Sequence, residues 1–449
     1  MSTIALDAIR GCLEGFVPAV MATCDAKGVP NVSMISQVHY VDPEHVALSY
    51  QFFNKTRQNI LSTRAATISV VDPANMADYR LDLDYEETLT AGPIFESMRA
   101  KLAGIASHSG MEGVFLLRGA DIMRVRAIAE TPGPRIAPMT STLSLLAAVR
   151  RSLAFMAAAQ DLGNLFDRTL ESLTNQFGIN HAMVLMFEES TGSLYTVGST
   201  GYARSGVGSE LAVGHGIIGV AARERVPIRI GHMSADYSYG AAIRDQAQQH
   251  GLAGSSVKEI DYPGLAAPES QIAVPILADS RLLGVLFAES PEPMRFCYED
   301  EDALTIVADR LADLIGNVQQ EDSGPAVLPE NPPQAAPASR APITIRHYAA
   351  DDSVFLDHDY LIKGVAGAIF WKLARAHVGQ GRVEFTNREL RLDPALRLPE
   401  HSENLEARLV LLQKRLSERS AIRIEKCGRG RFRFAVPCAL TLEEVGSGA

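Results

Sequence analysis

Three polar residues at the start of a predicted helix could hold a phosphate group. Asn54, Lys55 and Thr56 open a stretch that continues as a helix through Asn59 and Leu61. The first N–H groups of a helix have no partners within it and form the positive end of its dipole. Lys55 adds charge and Thr56 a hydroxyl donor, so the sequence predicts a phosphate site. In the alternative interpretation, Asn54 only caps the helix and Lys55 is a solvated surface residue.

A second set of candidate binding residues is basic. Residues 404–435 contain nine Lys or Arg residues and three acidic residues. Neutralising the phosphates of nucleic acid requires such a local excess of positive charge. We therefore predict contacts to double-stranded DNA from a helix and a following hairpin, at Arg408, Lys414, Arg415, Arg419, Arg429, Arg431 and Arg433. The alternative is a protein-contact module on which the basic residues form a solvated face.

Candidates for catalysis and metal binding are few. The sequence shows no convergent acid, base and nucleophile, so we assign no catalytic residue. The five cysteines form no CxxC pair, and the histidines of the middle block lack metal-ligand spacing, so we predict no metal site. His108 could act as a base or axial ligand, but a lone loop histidine usually does neither.

The chain is divided by a proline-rich stretch. Residues 321–342 include six prolines and two bulky aliphatic residues, a composition typical of a tether. Residues 343–449 carry 17 basic and 14 acidic residues, whereas the preceding part carries 25 and 39. The predicted units are residues 1–135, 145–318 and 344–449, with a linker over 319–343. Because no apolar run approaches the length of a membrane span and no leader peptide is evident, we expect a cytoplasmic protein.

The first unit is predicted to be rich in strands. Short apolar or alternating runs indicate strands near 17–23, 30–37, 45–51, 65–71, 80–91 and 113–128, with a helix near 94–106. The stretch ATCDAKGVPNVSMISQVHYVDPEHVALSYQFFNKTRQNILSTRAATISVV resembles the FMN-binding split barrel of the pyridoxamine 5′-phosphate oxidase-like superfamily, over residues 8–130.

That resemblance implies a cofactor. Lys55, Thr56 and Asn59, beside Asn54, would lie near the FMN phosphate, and Ser36 and Gln51 nearer the ribityl chain or ring. Haem or the loss of any cofactor are the alternatives that such proteins also show. Because the arginine-rich motif of true pyridoxamine phosphate oxidases is missing and TPGPRIAPMTSTL stands in its place, we do not expect vitamin B6 oxidation.

The second unit resembles a GAF domain over residues 145–318. The resemblance is carried by NHAMVLMFEE, SLYTVGST, VGHGIIGVAARERVPIRI and SQIAVPILADSRLLGVLFAES. Gly214, Gly216 and Gly219 do not form a dinucleotide site, because they lack the preceding strand and later acidic residue of that fingerprint. The resemblance implies a small-ligand pocket, whose polar contacts we place at Asp236, Tyr237, Tyr239, Arg244 and Asp245.

Two helices with coiled-coil spacing flank this unit. Apolar residues fall three and four apart at Leu146, Val149, Leu153 and Met156, and again at Leu304, Val307, Leu311, Leu314 and Val318. Such seams either pack on their own domain or form a parallel homodimer, and their position on both sides of one domain favours the dimer.

The third unit resembles a winged helix, in particular the DNA-binding half of response regulators, over residues 360–436. It contains YLIKGVAGAIFWKLARAHVGQG, a capping box from Thr386 to Glu389, the helix SENLEARLVLLQKRLSERS and the hairpin IRIEK-CGRGR-FRFAV. In the resembling proteins the last helix enters the major groove and the hairpin contacts the backbone or the minor groove.

Together these features predict a multidomain α+β protein with an N-terminal split β-barrel, a central GAF α/β sensor and a C-terminal winged helix. We expect a cytoplasmic, homodimeric sensor and transcription regulator that responds to flavin or a small ligand. The alternatives are an FMN-dependent oxidoreductase regulated by its GAF domain and a haem-binding sensor.

Overall fold

The computed structural model describes most of the chain. The described residues are 4–13, 19–35, 37–50, 55–72, 75–108, 117–133, 135, 144–189, 191–230, 260, 262–322, 342–396, 405–428 and 430–445. Within these ranges, no helix is long and apolar enough to cross a membrane. The expected tether falls almost entirely outside them.

The N-terminal part is a seven-stranded antiparallel sheet in the order β2-β1-β5-β6-β7-β4-β3. Its strands are β1 (Ala19–Cys24), β2 (Pro30–Ile35), β3 (Val38–Asp42), β4 (His45–Tyr50), β5 (Ala65–Val71), β6 (Asp78–Leu89) and β7 (Gly119–Thr131). A 3-10 helix (Leu6–Leu13), α1 (Lys55–Thr63) and α2 (Pro93–His108) accompany it. Within the described residues a strand lies at each position predicted here, whereas residues 113–116 of the last predicted strand lie outside them. Strand β3 was missed because it was not separated from its neighbours.

The alternating burial of side chains along the strands shows which face of this sheet covers the core. Side chains of β5 are buried and half-buried in turn, as expected for a strand with one face against a core. The buried face includes Ile68, Leu81, Leu83 and Met123, all fully buried. The 3-10 helix covers part of this core with Leu6, Ile9 and Leu13.

The middle part is a six-stranded sheet in the order β10-β9-β8-β13-β12-β11. The strands are β8 (His181–Glu188), β9 (Ser193–Thr200), β10 (Glu210–Ala212), β11 (Ile228–Ile230), β12 (Ser270–Ala278) and β13 (Arg281–Ser290). The helices are α3 (Leu145–Ala157), α4 (Leu162–Phe177), α5 (Gly216–Glu224) and α6 (Tyr298–Asp322).

Both faces of this middle sheet are covered. Val184 and Met186 of β8 pack with α3, α4 and α6, whereas Met183 and Leu185 face α5. This explains why HAMVLMF is apolar without alternation, since a strand buried on two faces gains from apolar residues at every position.

The α6 seam and part of the α3 seam pack inside the chain, whereas Leu146 of α3 is 80% exposed. Val307 and Leu311 of α6 are fully buried and Leu304 is 1% exposed, in the same core as Val149 and Met156 of α3. The α6 stripe is therefore occupied within the chain, whereas the α3 stripe is buried only in part, and the parallel homodimer stays a prediction. Heptad spacing identifies an apolar stripe but not its partner, and here α3 and α6 pack against each other.

The C-terminal part contains two small sheets around three helices. Its elements are β14 (Ile343–Tyr348), β15 (Ser353–Leu356), β16 (Asp359–Ile362), α7 (Gly364–Gln380), β17 (Glu384–Thr386), α8 (Asn387–Arg391), a 3-10 turn (Pro394–Leu396), α9 (Leu405–Arg419), β18 (Arg423–Gly428), β19 (Arg431–Ala435) and β20 (Leu440–Val445). The sheets run β16-β15-β14-β20 and β17-β19-β18. The expected helices and the hairpin β18–β19 are present, and β14–β16 and β20 were not predicted.

The C-terminal part does not stand apart from the middle part. One continuous hydrophobic core joins Phe166 and Tyr195 of the middle part to Ile369, Leu412 and Phe434 of the C-terminal part. Helix α9 contacts α4 and β9 directly. In this structure the predicted tether therefore connects two units that are docked onto each other.

Candidate functional site

Helix α9 carries an ion pair buried at the junction of the middle and C-terminal parts. Arg408 pairs with Glu188, the last residue of β8, and the two residues are 7% and 4% exposed. The Arg408 guanidinium also lies over the Tyr195 ring, 3.7 Å from its centroid. Burial lowers the pKa of Arg408 to about 9, so the guanidinium remains charged at neutral pH. Removing either charge would leave the other buried beside an aromatic ring.

Weaker polar contacts surround this pair. Lys414 Nζ lies 2.7 Å from Asp167 Oδ1 on α4, and Lys363 Nζ lies 3.2 Å from Glu210 Oε2 on β10. Ser205 Oγ donates to Glu418 Oε1 at 2.6 Å. We call Arg408, Glu188, Tyr195, Lys414 and Asp167 the α9 interface. Lys414 and Asp167 are partly solvated, so their ion pair contributes little to stability.

The structure therefore corrects the predicted DNA-contacting surface. Arg415 is 3% exposed and donates from Nε to the Leu361 carbonyl oxygen at 3.1 Å, and burial lowers its pKa. Neither Arg408 nor Arg415 lies on a solvent-facing side of the helix, contrary to the prediction. Arg419 is exposed. In the hairpin, Arg431 and Arg433 contact Glu384 at 3.1 and 3.5 Å, and Arg429 lies outside the described residues.

The expected phosphate site at α1 is brought together only in part. Thr56 is 5% exposed; its hydroxyl donates to Ser33 Oγ at 3.0 Å and accepts from Asn31 Nδ2 at 2.8 Å. Asn59 Nδ2 donates to Thr23 Oγ1 at 3.1 Å. Thr56 and Asn59 thus tie α1 to β1 and β2. Among the predicted residues that the structure describes, Lys55, the exposed first residue of α1, is the one placed to contact a ligand. Ser36, Gln51 and Asn54 lie outside the described residues.

A buried ion pair that the sequence did not reveal lies next to this site. Arg57, 8% exposed, pairs with Asp121, which is 3% exposed. Arg57 Nη2 donates to Thr88 Oγ1 at 2.7 Å, and Thr88 in turn donates to Asp121 Oδ1 at 2.6 Å. The guanidinium lies 4.4 Å from the ring centroid of Tyr50. Desolvation raises the pKa of Asp121, although Arg57 and Thr88 oppose the shift.

A third polar cluster occupies one end of the middle sheet. Glu289 is 2% exposed, and its two oxygens accept from the Leu265 N–H at 2.8 Å and from Gln271 Nε2 at 3.0 Å. Burial raises the pKa of Glu289 and, with the carboxylate nearby, that of Tyr202. The predicted ligand contacts at Asp236, Tyr237, Tyr239, Arg244 and Asp245 lie outside the described residues. The cluster around Glu289 was not predicted from the sequence.

We expect the Glu289 carboxylate to make stability depend on pH. Because the pKa of Glu289 is higher in the folded protein than in the unfolded chain, the protonated carboxyl group stabilises the fold. This contribution is complete below the pKa of the unfolded chain, about 4.3, and is lost as the pH rises through the pKa of the folded protein. Glu289→Gln should therefore be more stable relative to the unchanged protein at pH 7 than at pH 4, by on the order of 1 kcal/mol. Urea unfolding at both pH values measures this, with the exposed Glu171→Gln as control. An equal difference at both pH values would contradict the assignment.

Comparison with known proteins supports the middle unit. Residues 159–316 match the family model described as GAF domain, so the prediction of this domain is confirmed. A search of the curated proteins found no match. Similar solved structures include the GAF domain of a phosphoenolpyruvate-protein phosphotransferase from Acinetobacter, 15% identical, covering 40% of this chain and 98% of that chain with a TM-score of 0.31.

Two further solved structures are similar to parts of the chain. One is free methionine-R-sulfoxide reductase from Neisseria meningitidis in complex with its substrate, 18% identical, covering 41% of this chain and 98% of that chain with a TM-score of 0.31. The other is an FMN-binding protein from Syntrophomonas wolfei subsp. wolfei, 15% identical, covering 28% of this chain and 86% of that chain with a TM-score of 0.25.

Proposed function

We propose that this chain is a multidomain sensor in which the GAF domain holds the basic C-terminal part through α9 and releases it in response to a signal. The observation that carries the proposal is the buried Arg408–Glu188 pair beside Tyr195. Such a pair contributes little net stability once desolvation is counted, yet it is costly to break from one side. A contact of this kind favours two discrete states, docked and released, over gradual loosening.

The output of this sensor is proposed to be binding of double-stranded DNA. The order of elements from α7 to the hairpin β18–β19 is the one expected for a winged helix. Release would expose Arg408 and Lys414, which pair with Glu188 and Asp167 of the middle part, beside the already exposed Arg419, and so concentrate positive charge on one helix. A helix of that charge provides the phosphate contacts on which DNA affinity depends. In the docked state, by contrast, contacts within the chain occupy α9.

A substitution on the GAF side tests the proposal without altering α9. Glu188→Ala removes the buried anion and should favour release, so the full chain should bind genomic DNA fragments at least about tenfold more tightly than the unchanged protein. Gel retardation across a salt series measures the affinity, and its slope should be about 0.9 per phosphate contact. Glu189→Ala, at the exposed neighbouring position, is the matched control and should leave affinity unchanged.

The outcomes of this experiment separate release from DNA binding. Small-angle X-ray scattering of Glu188→Ala reports release as an increased radius of gyration. If the chain expands and still fails to retard DNA at low salt, the DNA-binding output is wrong and the C-terminal part is a protein-contact module. If the chain does not expand, the α9 interface does not control docking.

We further propose that the N-terminal sheet binds FMN by its phosphate at Lys55 and the N-terminus of α1. The exposed ammonium and the first N–H groups of a nine-residue helix support this, whereas Thr56 and Asn59 are already hydrogen-bonded. Lys55→Ala should weaken FMN binding by roughly 1.5–3 kcal/mol, a loss of about 10- to 150-fold. Flavin fluorescence titration measures this, with the exposed Lys27→Ala as control. Absence of flavin binding to the unchanged chain would overturn the assignment, and a haem spectrum would favour the haem alternative.

A further inference from the structure

A short turn between β9 and β10 forms part of the surface on which α9 is docked. We call its residues, 205–209, the β9–β10 turn. Ser205 Oγ donates to Glu418 Oε1 on α9 at 2.6 Å. Val207 is 3% exposed and belongs to the core that the middle and C-terminal parts share. Through these two residues the turn contacts the C-terminal part directly.

The same turn contacts residues 260–263, which precede β12. A β-carbon at Gly206 would overlap the Pro263 ring, so the chain segments approach as closely as a glycine allows. A β-carbon at Gly208 would lie 2.8 Å from Ile260 Cδ1 and 3.5 Å from Leu411 Cδ1 of α9. The turn therefore has residues 260–263 and α9 as neighbours at the same time.

Hydrogen bonds to β9 hold the turn in one shape. The Gly208 N–H donates to the Thr196 carbonyl oxygen at 2.8 Å, and the Thr196 N–H donates to the Ser209 carbonyl oxygen at 3.0 Å. Thr196 and Ser209 are fully buried, and their hydroxyl oxygens are 2.9 Å apart. Because close-packed segments change between discrete arrangements and do not deform continuously, we expect the turn to move as a unit.

Residues 260–263 contact the other face of the middle sheet. Tyr262 packs against the core that contains α5, whereas Val207 lies in the core that contains α9. In the sequence, this stretch follows residues 236–245, on which the small-ligand contacts are predicted. The close approach of Gly206 and Pro263 therefore joins the core on the α5 face to the core that includes α9.

We propose that the β9–β10 turn transmits a change at residues 260–263 to α9 and so determines whether the C-terminal part is docked. This inference rests on the proposed sensor function and names the element that carries its signal. A shift of Pro263 displaces the turn, because no gap separates the ring from Gly206. The turn then loses its contacts to α9 at Glu418 and in the shared core. Ligand binding on the α5 face thereby changes docking without touching α9.

One added methyl group at Gly206 imitates such a shift. In the full chain, Gly206→Ala should accelerate hydrogen exchange of the α9 amides by at least about tenfold, because the new β-carbon displaces the turn from Pro263. Gly178→Ala is the matched control. The two glycines have similar φ angles, +57° and +65°, so alanine carries a similar backbone cost at each. A β-carbon at Gly178 meets no described atom within 4 Å, so α9 exchange should be unchanged there.

A second substitution tests whether the contact with Pro263 carries the effect. Combining Gly206→Ala with Pro263→Gly removes the ring that the added methyl group would overlap. The double variant should return α9 exchange to within about threefold of the unchanged protein, because the two changes compensate at one contact. Continued fast exchange in the double variant would overturn the inference, as would equal acceleration throughout β12 and β13.

Glu188→Ala, measured in parallel, separates this inference from the proposed function. If Glu188→Ala accelerates α9 exchange and Gly206→Ala does not, the turn does not transmit and only this inference is wrong. If neither variant accelerates it, both are wrong. Acceleration in Gly206→Ala alone supports the turn as the controlling element and removes that role from the buried ion pair.

A milder variant decides the case in which Gly206→Ala does not fold. Ile260→Ala removes a side chain that contacts the turn at Gly208 and adds no atom. We expect α9 exchange at least about threefold faster in this variant, because the turn loses support on the side away from the C-terminal part. An unchanged rate would overturn the inference.

Discussion

Replacing Arg408 with alanine is expected to lower the stability of the C-terminal part by about 3–5 kcal/mol. The substitution takes away the cation buried beside Glu188 and leaves that carboxylate 4% exposed, facing the Tyr195 ring. The only tryptophan, Trp371, lies on α7 within the core shared by the middle and C-terminal parts. Its fluorescence during urea unfolding should therefore show an earlier transition in Arg408→Ala.

Two further variants separate charge from packing at this position. Combining Arg408→Met with Glu188→Leu removes both charges and should recover most of the lost stability, because apolar side chains of similar volume replace a buried pair without penalty. Lys414→Ala removes a partly solvated pair with Asp167 and should cost less than about 1 kcal/mol. An unchanged Trp371 transition in Arg408→Ala would show that the pair does not hold the two parts together.

Replacing Arg57 with alanine is expected to destabilise the N-terminal sheet by a similar amount, about 3–5 kcal/mol. Asp121 would keep its hydrogen bond from Thr88 but lose the cation that offsets its burial at 3% exposure. Hydrogen exchange of the amides in β6 and β7, which carry Thr88 and Asp121, should accelerate. The matched control is Arg126→Ala, whose pair with Asp84 at 3.5 Å is exposed on both sides and should cost less than about 1 kcal/mol.

The pH dependence of the stability of Arg57→Ala provides a second test of this ion pair. With Arg57 replaced, Asp121 should favour its protonated form more strongly, because desolvation already raises its pKa. The variant should then regain stability as pH falls toward 4. Stability that falls in parallel with that of the unchanged protein would argue that Asp121 is solvated in the variant.

The order of elements could largely be predicted from the sequence, because local patterns determine it. The strand at residues 65–71 was predicted with its observed bounds, since a short run with alternating apolar and polar residues is typical of a half-buried strand. The GAF domain was recognised from the spacing of its strands and glycines. Such patterns can be interpreted without knowing which tertiary contacts each element makes.

Exposure of the basic residues could not be predicted in the same way. Arg408 and Arg415 are seven residues apart and therefore share a helix face, and Leu411 and Leu412 lie between them on that face. This spacing could have indicated a buried face, but charge was taken as a sign of exposure. The partner that buries Arg408 is Glu188, more than 200 positions away, and nothing local to either residue connects them. Ion pairs between residues far apart in the chain, such as Arg57–Asp121, could not be predicted from the sequence for the same reason.

The pairing of β14 with β20 bears on how the protein is made. These strands run parallel, with Ile343 opposite Leu440 and Tyr348 opposite Val445. During synthesis β14 leaves the ribosome well before β20, with α7, α8, α9 and the hairpin between them. Until residues 440–445 emerge, β14 exposes an unpaired edge that can accept a strand from another nascent chain. During the interval between translation of the two strands, the β14 edge is therefore open to misassembly.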